Sequence, residues 1–415
     1  MNEWAALQQH SRPQEDGIME RPELVNPPAK RQRSDIVPTM AQTSESPRFA
    51  SPLACLRVHP HRRYGNGPTE IRKPMFLGDF SLDEHRRFCR DQRNLHFIHM
   101  NWTGDKQVNF DLNLAMDKVV RKNYDETKKE RLDRLLHWIL LNSAKFHTVK
   151  SVGGPLLCLS TDFVCFRGLL TKLLCTPYEG REGWIVCATR FRKTIYLCAY
   201  DTAEKHAQEV TETEVQKMMS SWGYKFEQYM IDGGDPSEGV NENEEYCCMV
   251  RSSLGEHSLV YGAEVDGADP SLYKSPHRDL KSFVELKTCK EVTSEKEHIT
   301  LHRYKMVKWW SQSYLVGIPR VVCGFRDDYG TIHTLRTYQV EELPKLAQEY
   351  WNPDVMLKFV RYFLDFVKSN VLVDDPQTVY KFERHAGGDI TCTYLGHDPQ
   401  WSFLPEWYYK QMFVS

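Results

Sequence analysis

A chain of 415 residues, 41% of them hydrophobic, can fill one large core or two to three ordinary ones. Its formal net charge of −2 excludes a globally basic nucleic-acid coat, though not a local basic channel. Twelve cysteines at irregular spacing, with no CxxC pair, fit neither a disulfide framework nor a zinc site and imply reduced thiols in an intracellular compartment, and no apolar run reaches the roughly 18 residues needed to span a membrane.

The first residues, MNEWAALQQHSRPQEDG, lack the apolar core of a signal peptide. Residues 1–50 are rich in Pro, Ser, Gln and charge, too polar to offset the entropy of ordering, and are expected to form a disordered tail. Within it PPAKRQR, with Lys30, Arg31 and Arg33, reads either as a nuclear-import cluster or as a solvated charge run. Residues 51–415 are expected to form a single large domain, secure by Met75.

FLGDFSLDEHRRF predicts a strand end followed by a helix capped by Ser81 or Asp83. Leu132, Leu135, Leu136 and Ile139 predict an amphipathic helix over Thr127–Phe146, with Glu130 in its first turn, where a carboxylate favours the helix dipole. DFVCFRGLLTKLLCTPY predicts a hairpin-like region, and Arg167 in that apolar run must be paired or face a polar cleft. WIVCATRF and TIYLCAY predict a hairpin turning at Arg192 and Lys193. Thr211–Trp222 predicts a helix that ends at Gly223. In GYKFEQYM, Glu227 sits among aromatics, so it is paired with a cation or serves a metal.

The organising stretch is Leu259 to Lys287, with LVYGAEVDG at one end and SFVELKT at the other. Both runs alternate as half-buried strands do. Glu264 and Asp266 then share one face, and Glu285 and Lys287 share another, with Val284 and Leu286 pointing away. If the strands are neighbours, three carboxylates and an ammonium converge. Such carboxylates repel, desolvation raises the cost, and a hard divalent cation, Mg2+ or Mn2+, relieves it. Lys287 could orient or deprotonate a water there. Solvated strand faces with ordinary salt bridges are the alternative.

Further on, His298–Val316 predicts a helix with Lys305, Trp309 and Gln312 on one face, where Gln312 could reach a phosphate or ribose. RVVCGF and TIHTLRTY around DDYG predict a hairpin. NPDVMLKFVRYFLDFVKS predicts a capped helix with Met356, Phe359, Val360, Phe363 and Val367 inward. There is no P-loop, no GxGxxG and no internal repeat.

Nine stretches, FSLDEHR, ERLDRLL, FRGLLTKLLCTPYE, GYKFEQYM, GAEVD, ELKT, KWWSQS, GFRDD and FLPEWY, resemble the decapping exoribonuclease (DXO) family in that family's order, from about Phe76 to Trp407. The resemblance implies a mixed α/β fold, central sheets flanked by helices with a cleft between them, and a restriction-nuclease-like acid…acid-x-Lys core. It implies that Glu264, Asp266, Glu285 and Lys287 are catalytic. It places two Mg2+ or Mn2+ ions on Glu227, Glu264, Asp266, Glu285 and the Leu286 carbonyl. Substrate contacts fall on Arg86, Glu130, Phe166, Arg167, Gly168, Cys247, Glu264, Lys287 and Gln312. The implied activity is metal-dependent hydrolysis at RNA 5′ ends: removal of unmethylated, incompletely methylated or NAD caps, release of pyrophosphate from 5′ triphosphates, and 5′-to-3′ degradation of 5′-monophosphate RNA. A nuclear monomer is expected, with a larger 5′-to-3′ exoribonuclease as a candidate partner. The chain departs from the family at Phe166, where Trp is common, and at Gly267, where Cys is frequent. A silent RNA-end binder, the alternative, would lack the acids, and all are present.

Overall fold

The structure, a computed structural model, describes residues 52–60, 64, 69, 71–122, 130–151, 154–273 and 279–412. The polar tail with its basic cluster lies outside the described residues. In chain order the strands are β1 (Ala54–Leu56), β2 (Met75–Leu82), β3 (Phe88–Cys89), β4 (Lys106–Asp111), β5 (His147–Ser151), β6 (Gly154–Cys158), β7 (Phe163–Phe166), β8 (Trp184–Phe191), β9 (Thr194–Tyr200), β10 (Glu245–Leu254), β11 (His257–Glu264), β12 (Gly267–Ala268), β13 (Phe283–Lys290), β14 (Arg320–Arg326), β15 (Thr331–Gln339), β16 (Thr378–Arg384) and β17 (Ile390–His397). The α-helices are α1 (Asp133–Leu141), α2 (Arg167–Cys175), α3 (Ala203–Thr211), α4 (Glu214–Met230), α5 (Glu295–Ile299), α6 (Met306–Val316), α7 (Leu343–Leu346), α8 (Pro353–Asn370) and α9 (Glu406–Gln411).

A ten-stranded sheet runs β1-β17-β16-β8-β9-β7-β11-β10-β2-β3, and a five-stranded sheet runs β12-β13-β14-β15-β4. β7 lies parallel to β9 and β11, and β13 parallel to β14; the other ladders are antiparallel. This is the mixed α/β architecture expected. Alternation along the strands sets the layers. Phe163, Cys165, Leu259, Tyr261 and Ala263 enter a core shared with α2, α6 and α8. Val164, Val260, Cys247 and Met249 face the opposite way, into a core closed by α1 and α9. On the small sheet Val284, Leu286, Val322, Ile332 and Leu335 pack beneath Trp222, Phe226 and Met230 of α4. Among the described residues no helix is long and apolar enough to cross a membrane.

Several elements form as read. Arg192 (φ 51°) and Lys193 (φ 67°) turn the β8–β9 hairpin, and the Asp374 carboxylate accepts their N–H groups at 2.6 and 2.9 Å. The β14–β15 hairpin and α8 match expectation, with the Asn352 side chain capping α8 and its five expected residues buried.

Others differ for physical reasons. FSLDEHRRF is a β2–β3 hairpin rather than a helix, because the Asp83 carboxylate accepts from the N–H groups of His85 and Arg87 and closes a turn. An N-cap and such a turn use the same side-chain chemistry. The helix expected over Thr127–Phe146 is confined to α1, so Glu130 precedes it rather than sitting in its first turn; residues 123–129 lie outside the described residues. FRGLLTKLLC is the end of β7 followed by α2, not a hairpin, since a short apolar run does not distinguish strand from helix. The helix expected over His298–Val316 starts earlier, at Glu295, and passes through a π turn at Thr300–Lys305.

Gly223 does not end its helix: α4 continues to Met230, because Trp222, Phe226 and Met230 form one buried stripe that outweighs a single glycine. No atom lies within 4 Å of where a Cβ at Gly223 would stand. Gly223→Ala is therefore expected to stabilise the fold by about 0.5–1 kcal/mol through loss of unfolded-state entropy. Thermal or urea unfolding reads this directly, and a lowered midpoint would show hidden crowding.

Candidate active site

Strand β11 ends at Glu264. The chain then leaves the large sheet, Val265 and Asp266 make the crossing, and Gly267 enters the small sheet opposite Val284. Glu264 and Glu285 therefore stand on different sheets, not on adjoining strands of one sheet as alternation suggested. Alternation reports which face a side chain takes, not which strand lies beside it. The acids meet at the seam instead. There the Asp266 carboxylate accepts the Leu286 N–H at 2.7 Å, tying the crossing to β13.

Glu285 and Lys287 share a face of β13, as expected. The Lys287 ammonium lies 2.6 Å from Glu285 Oε1 and 3.6 Å from Asp266 Oδ2, while Val284 and Leu286 are buried on the opposite face under α4. Glu227 comes from α4. Its neighbour Phe226 packs in the core beneath, and Glu227 itself stands within electrostatic reach of Asp266, Glu264, Lys287 and Glu285. Arg167, in the first turn of α2, is buried. Its Nη2 donates to the Glu264 carbonyl at 3.2 Å, and Nη1 lies 3.7 Å from Glu285 Oε2. The requirement that Arg167 be paired or face a polar cleft is met.

The charges are unevenly settled. Burial, then Asp266 and Glu264, holds the Glu227 carboxyl well above its ordinary range. Burial, then Glu245 and Asp266, pushes Glu264 up to about 7. Asp266 is raised by burial and by Glu285, against the pull of Lys287. Glu285 goes the other way: burial opposes its charge, but Lys287 and Arg167 together hold it below the usual range. Lys287 is itself raised, because Asp266 and Glu285 overcome burial, so it stays an ammonium.

The other expected contacts divide into two groups. Cys247 lies opposite Glu264 in the β10–β11 register and is buried. Phe166 ends β7 beside Gly262, and its ring comes within 3.1 Å of where a Gly262 Cβ would be, so glycine makes room for it. Gly168 sits in the first turn of α2 with open space around it. Arg86 and Glu130 form a forked ion pair, at 3.0 and 2.7 Å, which Arg86 shares with Glu245 at 2.9 Å. Gln312 is half-buried on α6, and among the described residues no hydrogen bond joins it to the acids. Sequence reading missed Glu245 and Lys122, which pair at 2.5 Å. Glu-x-Cys alternation in β10 could have pointed to Glu245; nothing local marks Lys122.

The departure at Gly267 has a steric counterpart. A Cβ there would stand 2.5 Å from Ile98 Cδ1, so Ile98 fills the space a side chain would take.

The carboxylates of Glu227, Glu264, Asp266 and Glu285 are hard oxygen donors of the kind a divalent cation takes. Glu285 Oε2 is buried without a hydrogen-bond partner, an acceptor still unsatisfied. Among the described residues no three His, Cys, Asp or Glu side chains stand close enough together to hold a metal ion as they are placed, so the acids would have to draw in around one. Lys287 bridges Asp266 and Glu285, and the repulsion of Glu227 and Glu264 with these acids is what a shared cation would offset.

Comparison with known proteins gives a consistent picture. The family described as RAI1-like PD-(D/E)XK nuclease matches residues 72–409. The human decapping and exoribonuclease protein is 38% identical over 349 residues, covering 82% of this chain and 86% of its own. The Drosophila melanogaster decapping and exoribonuclease protein Rai1 is 30% identical over 352 residues, covering 81% and 91%. In fold, the crystal structure of Candida albicans Rai1 in complex with pU5 and Mn2+ matches with a TM-score of 0.71 at 20% identity, covering 88% of this chain and 98% of that one.

Proposed function

Because the chain belongs to the RAI1-like PD-(D/E)XK nuclease family, we propose that it hydrolyses phosphoric bonds at the 5′ ends of RNA with a divalent cation held at the seam between its two sheets. The observation that carries this reading is the meeting of Glu264, Asp266, Glu285 and Lys287, with Glu227 brought to them by α4. Glu227, Glu264, Asp266, Glu285 and the Leu286 carbonyl would hold the cation. When bound, it supplies Lewis-acid stabilisation of phosphoryl charge and lowers the pKa of water.

The chain's own groups do the rest. Lys287, held at 2.6 Å from Glu285 and 3.6 Å from Asp266, is placed to donate hydrogen bonds to the attacking water or a phosphoryl oxygen. Arg167, fixed by the Glu264 carbonyl and Glu285, presents a guanidinium edge where an equatorial phosphoryl oxygen develops charge. Cys247 and Phe166 wall the site beside Glu264. A nuclear location belongs to the same reading and is supported by Lys30, Arg31 and Arg33.

Incubation of the purified chain with RNAs bearing a triphosphate, a monophosphate, an unmethylated cap, a mature cap or an NAD end tests the proposal. With Mg2+ or Mn2+ the expected products are pyrophosphate, mononucleotides, a cap dinucleotide and NAD, with the mature cap resistant. RNA retained on the protein without any product would mean an end-binding protein instead.

Phe166 bears on preference rather than chemistry. Base-on-ring stacking is worth about 1–3 kcal/mol, so Phe166→Ala is expected to change the kcat/KM ratio between capped and monophosphate RNA by about tenfold. Mn2+ affinity should stay the same. A uniform loss on all ends would remove Phe166 from substrate selection.

A further inference from the structure

Helix α4 does more than deliver Glu227. Ser221, Tyr224 and Glu227 follow one another at intervals of three, so they lie side by side along one flank of the helix. The stripe of Trp222, Phe226 and Met230 packs on the small sheet from another flank. Both ends of the row are placed. Ser221 Oγ donates to the Glu242 carboxylate and accepts from Arg121 Nη1 at 3.2 Å. Glu227 stands within electrostatic reach of Asp266, Glu264 and Glu285. Tyr224 therefore lies between the residues that lead into β10 and the acids of the seam. The acids that act on its phenol come from both directions: Glu264 and Glu227 from the seam, Glu245 and Glu242 from the other end. Burial, then these four, holds the phenol well above its ordinary range.

The Tyr224 side chain is half-buried, and among the described residues no hydrogen bond engages its hydroxyl. Nor is that oxygen sealed from solvent. The buried tyrosines behave otherwise. Tyr196 pairs with the Tyr408 hydroxyl, Tyr246 donates to Asp79, and Tyr261 donates to the Leu315 carbonyl. A tyrosine kept only for packing pairs its hydroxyl in this way. Tyr224 keeps a donor and an acceptor unspent, beside the acids proposed to hold the cation.

Its surroundings decide what it can take. A phosphate at this hydroxyl would face Glu264 and Glu245 and be repelled. Base edges differ from one nucleotide to the next. The neutral polar group that every ribonucleotide carries is the 2′-hydroxyl, donor and acceptor in one. It can accept from the Tyr224 O–H and donate to a neighbouring carboxylate, which suits an acidic setting. Building on the nuclease reading, we propose that Tyr224 sets a preference for RNA over DNA by hydrogen-bonding the ribose 2′-hydroxyl of a nucleotide beside the scissile phosphate.

The test compares the full wild-type chain with Tyr224→Phe, which keeps the ring and removes only the hydroxyl. The substrates are single-stranded 5′-monophosphate oligoribonucleotides in Mn2+: one all-ribose, the others with a single 2′-deoxy sugar at the first, second or third nucleotide. In wild type, one of these deoxy positions is expected to lower kcat/KM about five- to tenfold, the worth of one hydrogen bond. In Tyr224→Phe the all-ribose strand should fall to that same level, and the deoxy sugar at that position should cost less than about twofold more. The two chains should then act alike on that deoxy strand. A wild type indifferent to all three deoxy sugars overturns the proposal. So does a Tyr224→Phe chain that keeps the full ribose preference, or one that loses equally on every strand. A wild type that cleaves none of the strands would overturn the nuclease reading instead. Anisotropy of the same strands in chelator then carries the comparison, with the same pattern expected in Kd and an unchanged ribose preference in Tyr224→Phe overturning the contact.

Discussion

Glu264→Gln combined with Asp266→Asn is expected to end nucleotide release from RNA 5′ ends and yet to give a chain that resists heat better than the wild type at pH 8. The loss of activity follows from removing two of the four carboxylates placed to hold the cation. Metal stabilisation of phosphoryl charge is worth several kcal/mol, so the fall should be about a thousandfold or more. The gain in stability follows from the same carboxylates. Glu264 is raised from its ordinary 4.5 to about 7, first by burial and then by Glu245 and Asp266. Its proton is held more tightly in the folded state, so stability is full below the unfolded value and is lost as pH rises from about 4.5 to about 7. Asp266 is raised in the same sense. Neutral amides remove that cost above the window and change little below it. Asn rather than Ala at 266 keeps an oxygen to accept the Leu286 N–H, which would otherwise be left unpaired. Melting temperatures in chelator at pH 8 and pH 4 check the sign. A variant less stable than wild type at pH 8 would mean that the acids are satisfied by contacts other than those seen.

Lys287→Met should act in the opposite sense on stability and in the same sense on activity. Glu285 is only 1% exposed, and Lys287 at 2.6 Å is its nearest cation. Removing one partner of a buried pair costs about 3–5 kcal/mol. Arg167 at 3.7 Å limits the damage here, so the lower end is expected. Because Lys287 and Arg167 hold Glu285 below its ordinary range, the deficit should be largest at neutral pH and shrink as pH falls. Mn2+ should return part of it, since a ligand at a hundred times its Kd adds about 2.7 kcal/mol. Hydrolysis should drop about 100-fold to 1,000-fold, the usual cost of losing one donor to developing charge. Lys287→Arg separates the two effects: it keeps the charge, so stability should recover, but its planar fork cannot stand in for the ammonium, so activity should not. Wild-type rates in Lys287→Met would remove this residue from the chemistry.

What could be read from the sequence, and what could not, follows from the range of each signal. A period of two assigns faces, so the sharing of one face by Glu285 and Lys287, away from Val284 and Leu286, was legible. Nothing in AEVDGA marks Val265 and Asp266 as a crossing between sheets, because two residues of broken pairing leave no pattern. The capped helix α8 was legible from its buried stripe. FRGLLTKLLC was not, since strand and helix bury such a run equally well. Gly223 suggested a stop that the stripe on either side overrode. The long-range pairs were out of reach: Lys122 meets Glu245, and Arg86 meets Glu130, only because the fold brings distant segments together. The family resemblance supplied Arg86 and Glu130 as substrate contacts. It supplied neither their tie to Glu245 nor the use of Ile98 to fill the space beside Gly267.

Crystals soaked in Mn2+ and measured at its absorption edge test the central claim most directly. Anomalous density is expected at the seam between the sheets, within bonding distance of carboxylate oxygens from Asp266, Glu264 and Glu285, and absent in the Glu264→Gln/Asp266→Asn chain. Manganese bound elsewhere, or a seam that stays empty at concentrations that support RNA cleavage, would contradict it.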